Sequence, residues 1–536
     1  MRDRFRFFKN NLFTALGYGS FLLVVASLVV ILGPMLGRGA TAVFFNGTVE
    51  YRRMQLELFD RGDPEQIEEA TRQTRHARQP VYELLDQFQQ GLSVESKIEE
   101  VEDIYRTYSQ NLRDQEVPID RRLELRRSAR ELRRQLVAAL ETRDADEAIE
   151  HIENVLAEAG TAPYRDTMMQ QMFEIAREYR QTVRIVDLSQ REAYQESLEE
   201  IRSALNNLFG DPGSPLIYRR YGATRWDRAR VYLDRLLWEE QWVEGEPGEP
   251  LVKKRTPRAD RFEGTALAAL FPMIQNNLEQ MLRPRFTVYW QYFFDGSTEG
   301  HYFGGVWPEV LGTLLLTVLS IVFALPLGVI AAAYLVECAS DTLVVVVLRT
   351  CINTLAGVPS IVFGLFGLAF FVLFLLPAFG MPEGSSILAG SLTLGVLVLP
   401  IIIRASEEAI RSVPHAYKEA ALSLGAGRFR NFVTVTLPAA LPGILTGVIL
   451  SMGRAAGETA PILFTAAVAM GPLPGSIFEP TRALSYSAYD IAVGDRLAAE
   501  VPHKQYGMIM TLILLVLILN IAAILIRARI SKKLRG

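Results

Sequence analysis

LPAALPGILTGVILSMGRAAGETAPILFTAAVAM, residues 437–470, reads as a segment made for hydrocarbon, with one interruption. Arg454 and Glu458 are the only charged side chains between Asn431 and Phe478. A membrane span needs about 20 apolar residues to cross about 30 Å of hydrocarbon. An arginine near mid-bilayer costs about 2.5–3.5 kcal/mol on insertion scales, so such a charge faces a partner, a bundle interior or a water-filled path. At i and i+4, Arg454 and Glu458 share one helix face. Gly453, Ala455, Ala456 and Gly457 permit close approach, and Gly457 with Pro461 predicts a bend. Two readings stay open at this point: an ion pair pinning two helices, or a site where an anion passes. The planar guanidinium fork matches a tetrahedral oxyanion in bidentate fashion. A carboxylate beside it accepts a hydrogen bond only from a protonated oxyanion, which disfavours fully deprotonated sulfate.

The rest of the chain divides sharply around this segment. Of 536 residues, 22% are charged and 49% hydrophobic, but two in five residues between 51 and 150 are charged. From Val310 onward long apolar runs dominate. A first candidate span lies at 15–36, after Arg2, Arg4, Arg6 and Lys9, which places residues 1–14 in the cytoplasm. Its length favours an uncleaved anchor over a signal peptide ending at Ala40-Thr41-Ala42. Five more candidate spans fall near 310–336, 350–377, 386–408, 439–469 and 507–527. Six crossings return the C-terminus to the cytoplasm, where the basic tail RARISKKLRG belongs. The same count puts the basic segment 409–438 inside and residues 37–305 outside the membrane, opposite the cytoplasm.

Residues 37–305 carry helical signals. Asp63-Pro64 reads as an N-cap and first-turn proline, Ser96 with Glu99 as a capping box, and Asp120 as a further cap. GDPGSP (210–215) and GEPGEP (245–250) punctuate the chain as loops, and FTVYWQYF (286–293) reads as a strand. The mixed charge is that of a solvated helical surface. Two cysteines, Cys338 and Cys351, imply no disulfide framework. Five scattered histidines show no metal-ligand spacing, and no phosphate-binding G-x-x-x-x-G-K-[ST] loop is present. No metal, cofactor, catalytic set or nucleic-acid partner is expected.

The cytoplasmic segment reads VPHAYKEAALSLGAGRFRNFVTVTLP, residues 413–438. Pro414 suits a helix start, Tyr417–Leu424 favours helix, and Gly425 suits a left-handed residue just past its end. A second short segment leads to Leu437-Pro438 and the next span. Glu419-Ala420-Ala421, Gly425 and Leu437-Pro438 resemble the EAA loop of ABC-importer permeases, with Val435 where isoleucine is usual. That resemblance implies docking of the loop on a cytoplasmic ATPase subunit.

The resemblance narrows on further motifs. GRAAGETAP followed by ILFTA, the run AGVPSIV (356–362), GTLLLTVLSIVFALPLGVIAAAYL (312–335) and R-A-S-E-E from Arg404 are similar to permeases of phosphate importers, the PstA family. The resemblance covers about 300–536 and the first span. It implies an all-α membrane protein of the MetI-like type, with six transmembrane helices and, in this chain, an inserted helical extracytoplasmic domain. It implies roles for Arg404, Arg454 and Glu458 in phosphate passage. Its implied partners are a second homologous permease, two ATPase subunits and an extracytoplasmic phosphate-binding protein, all at a bacterial inner membrane. Sulfate or molybdate is the alternative cargo. A membrane sensor is a more distant reading, because it requires a cytoplasmic signalling domain after the second span, where four more spans follow. The role of 37–305 is left open by the residues.

Overall fold

A computed structural model describes residues 2–115, 117–184, 186, 188–210, 221–243, 252–298, 301–340, 342–493 and 501–535. The chain forms two compact units, Met1–Phe45 with Thr287–Gly536, and Asn46–Phe286. The inserted unit is thus narrower than 37–305. Residues 37–45 and 287–305 belong with the membrane unit because they pack there: a Cβ on Gly507 would press against Ala42 and the Tyr292 hydroxyl.

The chain opens with helix α1 (Arg2–Ala40), followed by strand β1 (Phe44–Gly47). The inserted unit then contains α2 (Val49–Phe59), α3 (Pro64–Leu92), α4 (Val94–Asp114), α5 (Ile119–Glu141), α6 (Ala145–Ala157), α7 (Met169–Val183), α8 (Arg191–Phe209) and α9 (Trp226–Leu237). A hairpin of β2 (Trp238–Val243) and β3 (Val252–Pro257), α10 (Leu270–Leu282) and β4 (Arg285–Val288) complete this stretch. Two apolar clusters hold the unit. One gathers Leu85, Ile201, Leu205, Phe262 and Ile274 from α3, α8, α10 and the segment before α10. The other gathers Leu136, Ile152, Phe173 and Tyr179 from α5, α6 and α7. Arg78 is buried beside the first cluster, donating to Glu50 Oε1 at 3.0 Å, Met281 O at 2.8 Å and Phe209 O at 3.0 Å. Every bond satisfies a charge that burial would otherwise penalise.

Several local expectations are corrected here. Asp63 does cap α3, its carboxylate accepting from the Glu65 and Gln66 N–H groups. Ser96 does not cap, because α4 already begins at Val94 with Ser93 before it. Asp120 sits inside the first turn of α5, where Pro118 stands at the N-cap and no side-chain cap bond forms. Only Phe286–Val288 of FTVYWQYF is extended, as the end of the strand Arg285–Val288; Trp290–Phe293 winds into a 3₁₀ turn. Its inward residues Tyr289 and Tyr292 are buried, and Tyr289 donates to Asp295 at 2.7 Å. The GEPGEP loop lies outside the described residues, as does GDPGSP beyond Gly210.

The membrane unit continues with α11 (Trp307–Ala333), α12 (Leu343–Leu355), α13 (Ser360–Gly367), α14 (Leu376–Ala378), α15 (Ile387–Arg411), α16 (His415–Ser423), α17 (Arg428–Asn431), α18 (Leu437–Gly457), α19 (Ala460–Thr465), α20 (Leu484–Val493) and α21 (Pro502–Arg535). Among the described residues, six helices are long and apolar enough to cross a membrane: Phe13–Ala40, Trp307–Cys338, Ser360–Ala378, Ile387–Arg411, Arg428–Gly457 and Pro502–Lys532. Some run through π turns, at Tyr334–Cys338, Leu368–Leu375 and Phe432–Thr436. The span expected near 350–377 is broken in two, because Pro359 caps a new helix and cannot continue the old one. The span expected near 439–469 likewise ends at Gly457. Close packing depends on small residues: a Cβ at Gly364 would meet Ala460 O at 2.8 Å, and one at Gly447 would collide with Ala405. Cys338 and Cys351 are free thiols.

Candidate functional site

Arg454 occupies the last turn of α18, and Glu458 stands just past its end in extended conformation. The helix breaks there and resumes as α19 with Pro461 in its first turn. Arg454 Nε donates to Glu458 Oε1 at 3.3 Å, and the two side chains are 34% and 19% exposed. The pair therefore survives the break, but through the helix terminus rather than along a continuous face. The two terminal nitrogens of Arg454 make no other bond among the described residues. Ala455 and Ala456 are buried against neighbouring helices, while a Cβ at Gly457 would meet nothing within 4 Å. One side of the break is packed and the other is open. Ser485 Oγ, from α20, donates to Glu458 O at 3.1 Å and steadies the turn.

Arg404 lies on α15, exposed and unbonded among the described residues. Its neighbour Ala405 packs on Gly447, and seven helical residues separate Gly447 from Arg454, about 10 Å of axial rise. The structure thus joins Arg454 to Glu458 and leaves Arg404 apart, further along the bundle. Glu407, one turn beyond Arg404, is held between Arg349 at 3.4 Å and Arg411 at 2.8 Å.

The segment 413–438 forms α16, a bend and α17. Gly425 has φ 84°, in the left-handed region where a side chain is costly. Gly425 N–H donates to Leu422 O and Ala426 N–H to Ala421 O, the Schellman arrangement that closes a helix. Glu419 and Ala420 are exposed, as are Tyr417, Leu422, Leu424 and Phe429, the last two at 89% and 81%. Leu437 and Pro438 do not end a loop: α17, a π turn and α18 form one helix from Arg428 to Gly457. The π turn lets the chain pass Pro438, which lacks the N–H for a regular bond.

Sequence reasoning passed over two ionic groupings. Lys418 Nζ donates to Glu337 Oε1 at 2.6 Å, and Glu337 is the only charge between Val310 and Ser340, a signal that was available. Fully buried Glu309, in the first turn of α11, lies 3.4 Å from Arg482 Nη1 and accepts from Ser297 Oγ at 3.2 Å. His301 approaches the same carboxylate at 3.8 Å. Burial, with Lys504 and Arg482 adding to it, pushes the His301 pKa down to about 3.

Among the described residues, then, six apolar helices are of membrane-crossing length, and one of them ends in a half-buried ion pair. Residues 324–536 match the family model "Binding-protein-dependent transport system inner membrane component". The probable ABC transporter permease protein YqgI of Bacillus subtilis is 35% identical over 243 residues, covering 43% of this chain and 80% of its own. The phosphate transport system permease protein PstA 1 of Mycobacterium tuberculosis is 32% identical over 279 residues, covering 51% and 87%. The chain belongs to this inner-membrane ABC-permease family, as a multi-pass protein of the PstA type. An inward-facing structure of the MetNI methionine ABC transporter overlaps 42% of this chain and 94% of its own, with 20% identity and a TM-score of 0.30; the assignment rests on the sequence relatives.

Proposed function

We propose that this chain is the permease subunit of an ATP-driven importer of inorganic phosphate, itself without catalytic chemistry. The carrying observation is the state of Arg454. Glu458 engages its Nε, while its terminal N–H groups make no bond among the described residues and the side chain keeps 34% of its surface exposed. That is the donor geometry a phosphate oxygen pair accepts. Glu458 keeps a second carboxylate oxygen, and a protonated phosphate is able to donate to it where fully deprotonated sulfate is not. Arg404 extends the positive path toward the cytoplasmic end. The relatives named for phosphate transport support this cargo over sulfate or molybdate.

In this reading Glu419, Ala420, Ala421 and Gly425, with Leu437 and Pro438 behind them, present α16 to one of two cytoplasmic ATPase subunits. A second homologous permease completes the path and an extracytoplasmic phosphate-binding protein delivers to it. Both termini and 409–438 face the cytoplasm, and the inserted unit faces the opposite side. Uptake of labelled phosphate by vesicles holding the assembled importer tests the site. Arg454→Ala is expected to lower uptake about a hundredfold, the worth of two charge-assisted bonds. Unimpaired uptake removes Arg454 from the path.

A further inference from the structure

The C-terminal end of α11 widens into the π turn Tyr334–Cys338, and other elements converge on it. Lys418, on α16, reaches Glu337 at 2.6 Å. Arg349, on α12, donates to Leu335 O at 2.9 Å and lies 3.4 Å from Glu407 on α15. Asn431 Nδ2 donates to Lys418 O at 3.4 Å, tying α16 to α17. The Lys418 and Glu337 side chains are 12% and 29% exposed, so the bond is shielded from the water that makes exposed pairs weak. No residue of α16 is fully buried. A helix with so little packing of its own depends on its few strong tethers, and a charge-assisted bond is the stiffest available.

We propose that the Lys418–Glu337 bond, continued through Leu335 O and Arg349 to Glu407, is the strut that passes displacement of α16 to α11 and α15. This rests on α16 being the ATPase-docking helix. Lys418 and Glu337 are positioning residues that touch no phosphate. The strut ends at Glu407, three residues from Arg404, so movement of α16 is delivered beside the path.

The test uses the assembled importer in proteoliposomes, measuring labelled phosphate moved per ATP hydrolysed. Glu337→Gln is expected to assemble and keep basal ATP hydrolysis, with phosphate per ATP falling about tenfold. Lys418→Glu alone should fall likewise, and combining it with Glu337→Lys should restore the ratio. A packing role alone would lower assembly and leave the ratio unmoved. An unchanged ratio in Glu337→Gln overturns the strut. So does an assembled charge swap that stays as low as Lys418→Glu. A crosslink from Ala420→Cys to the ATPase, with Cys338 and Cys351 replaced by serine, separates the two readings. Its absence overturns docking and the strut together, whereas a crosslink with an unchanged ratio overturns the strut alone.

Discussion

The inserted unit and the membrane unit use charge in opposite ways. In the inserted unit ion pairs crowd the surface, as in Arg134–Glu131 and Arg106–Asp103, and the apolar residues lie inside. In the membrane unit the surface along α1 and α12 is apolar, and Glu309, Glu337, Arg454 and Glu458 are buried or half-buried beside partners. The two halves obey one rule under two solvents. A charge is cheap where water reaches it, and elsewhere it persists only with a partner or a role. Glu50–Arg78 is the exception that fits: a buried pair in the inserted unit, whose arginine also donates to two backbone carbonyls.

That contrast can be broken at graded cost. Beyond the Arg454 and Glu337 variants, the largest effect is expected from Leu136→Ala, which empties a fully buried site in the second cluster. It should cost about 2–5 kcal/mol of unfolding free energy in denaturant titration; a loss near zero would mean that cluster is not a core. A smaller effect concerns His301. Its native pKa of about 3 lies below the ordinary 6.5, so between those values the unfolded chain binds a proton that the native chain refuses. Stability therefore rises with pH across that window. His301→Gln should flatten the slope of melting temperature between about pH 4 and 7 in detergent; an unchanged slope would refute the assignment. The smallest effect is expected from Glu131→Ala, which removes an exposed pair and should leave the melting temperature unresolved from wild type.

The spans were legible because apolar runs of membrane length have few other uses, and the bend after Gly457 was legible from Gly457 and Pro461. Gly425 was readable because its left-handed backbone demands that residue. The break at Pro359 follows from the proline itself, across which a single span was expected; the joined helix 428–457 was not legible, since a π turn has no sequence signature comparable to a cap. The caps at Ser96 and Asp120 were misread because several residues near each helix start are equally able to cap. The hairpin β2–β3 escaped notice: its stability lies in cross-strand pairs, Glu240 with Lys253 and Arg255 over Trp238, which only the register Trp238↔Pro257 reveals. Arg454 and Glu458 were found as a pair, but the freedom of the guanidinium's outer nitrogens needed coordinates.

Strand β1 pairs with β4, so the inserted unit begins and ends at neighbouring-strand spacing, about 4.8 Å. A polypeptide whose excursion starts and finishes at the same place imposes no stretch on what it interrupts. The excursion can lengthen, shrink or vanish into a tight turn while α1 and α11 keep their places. The membrane helices and the inserted unit are thereby free to diverge at separate rates.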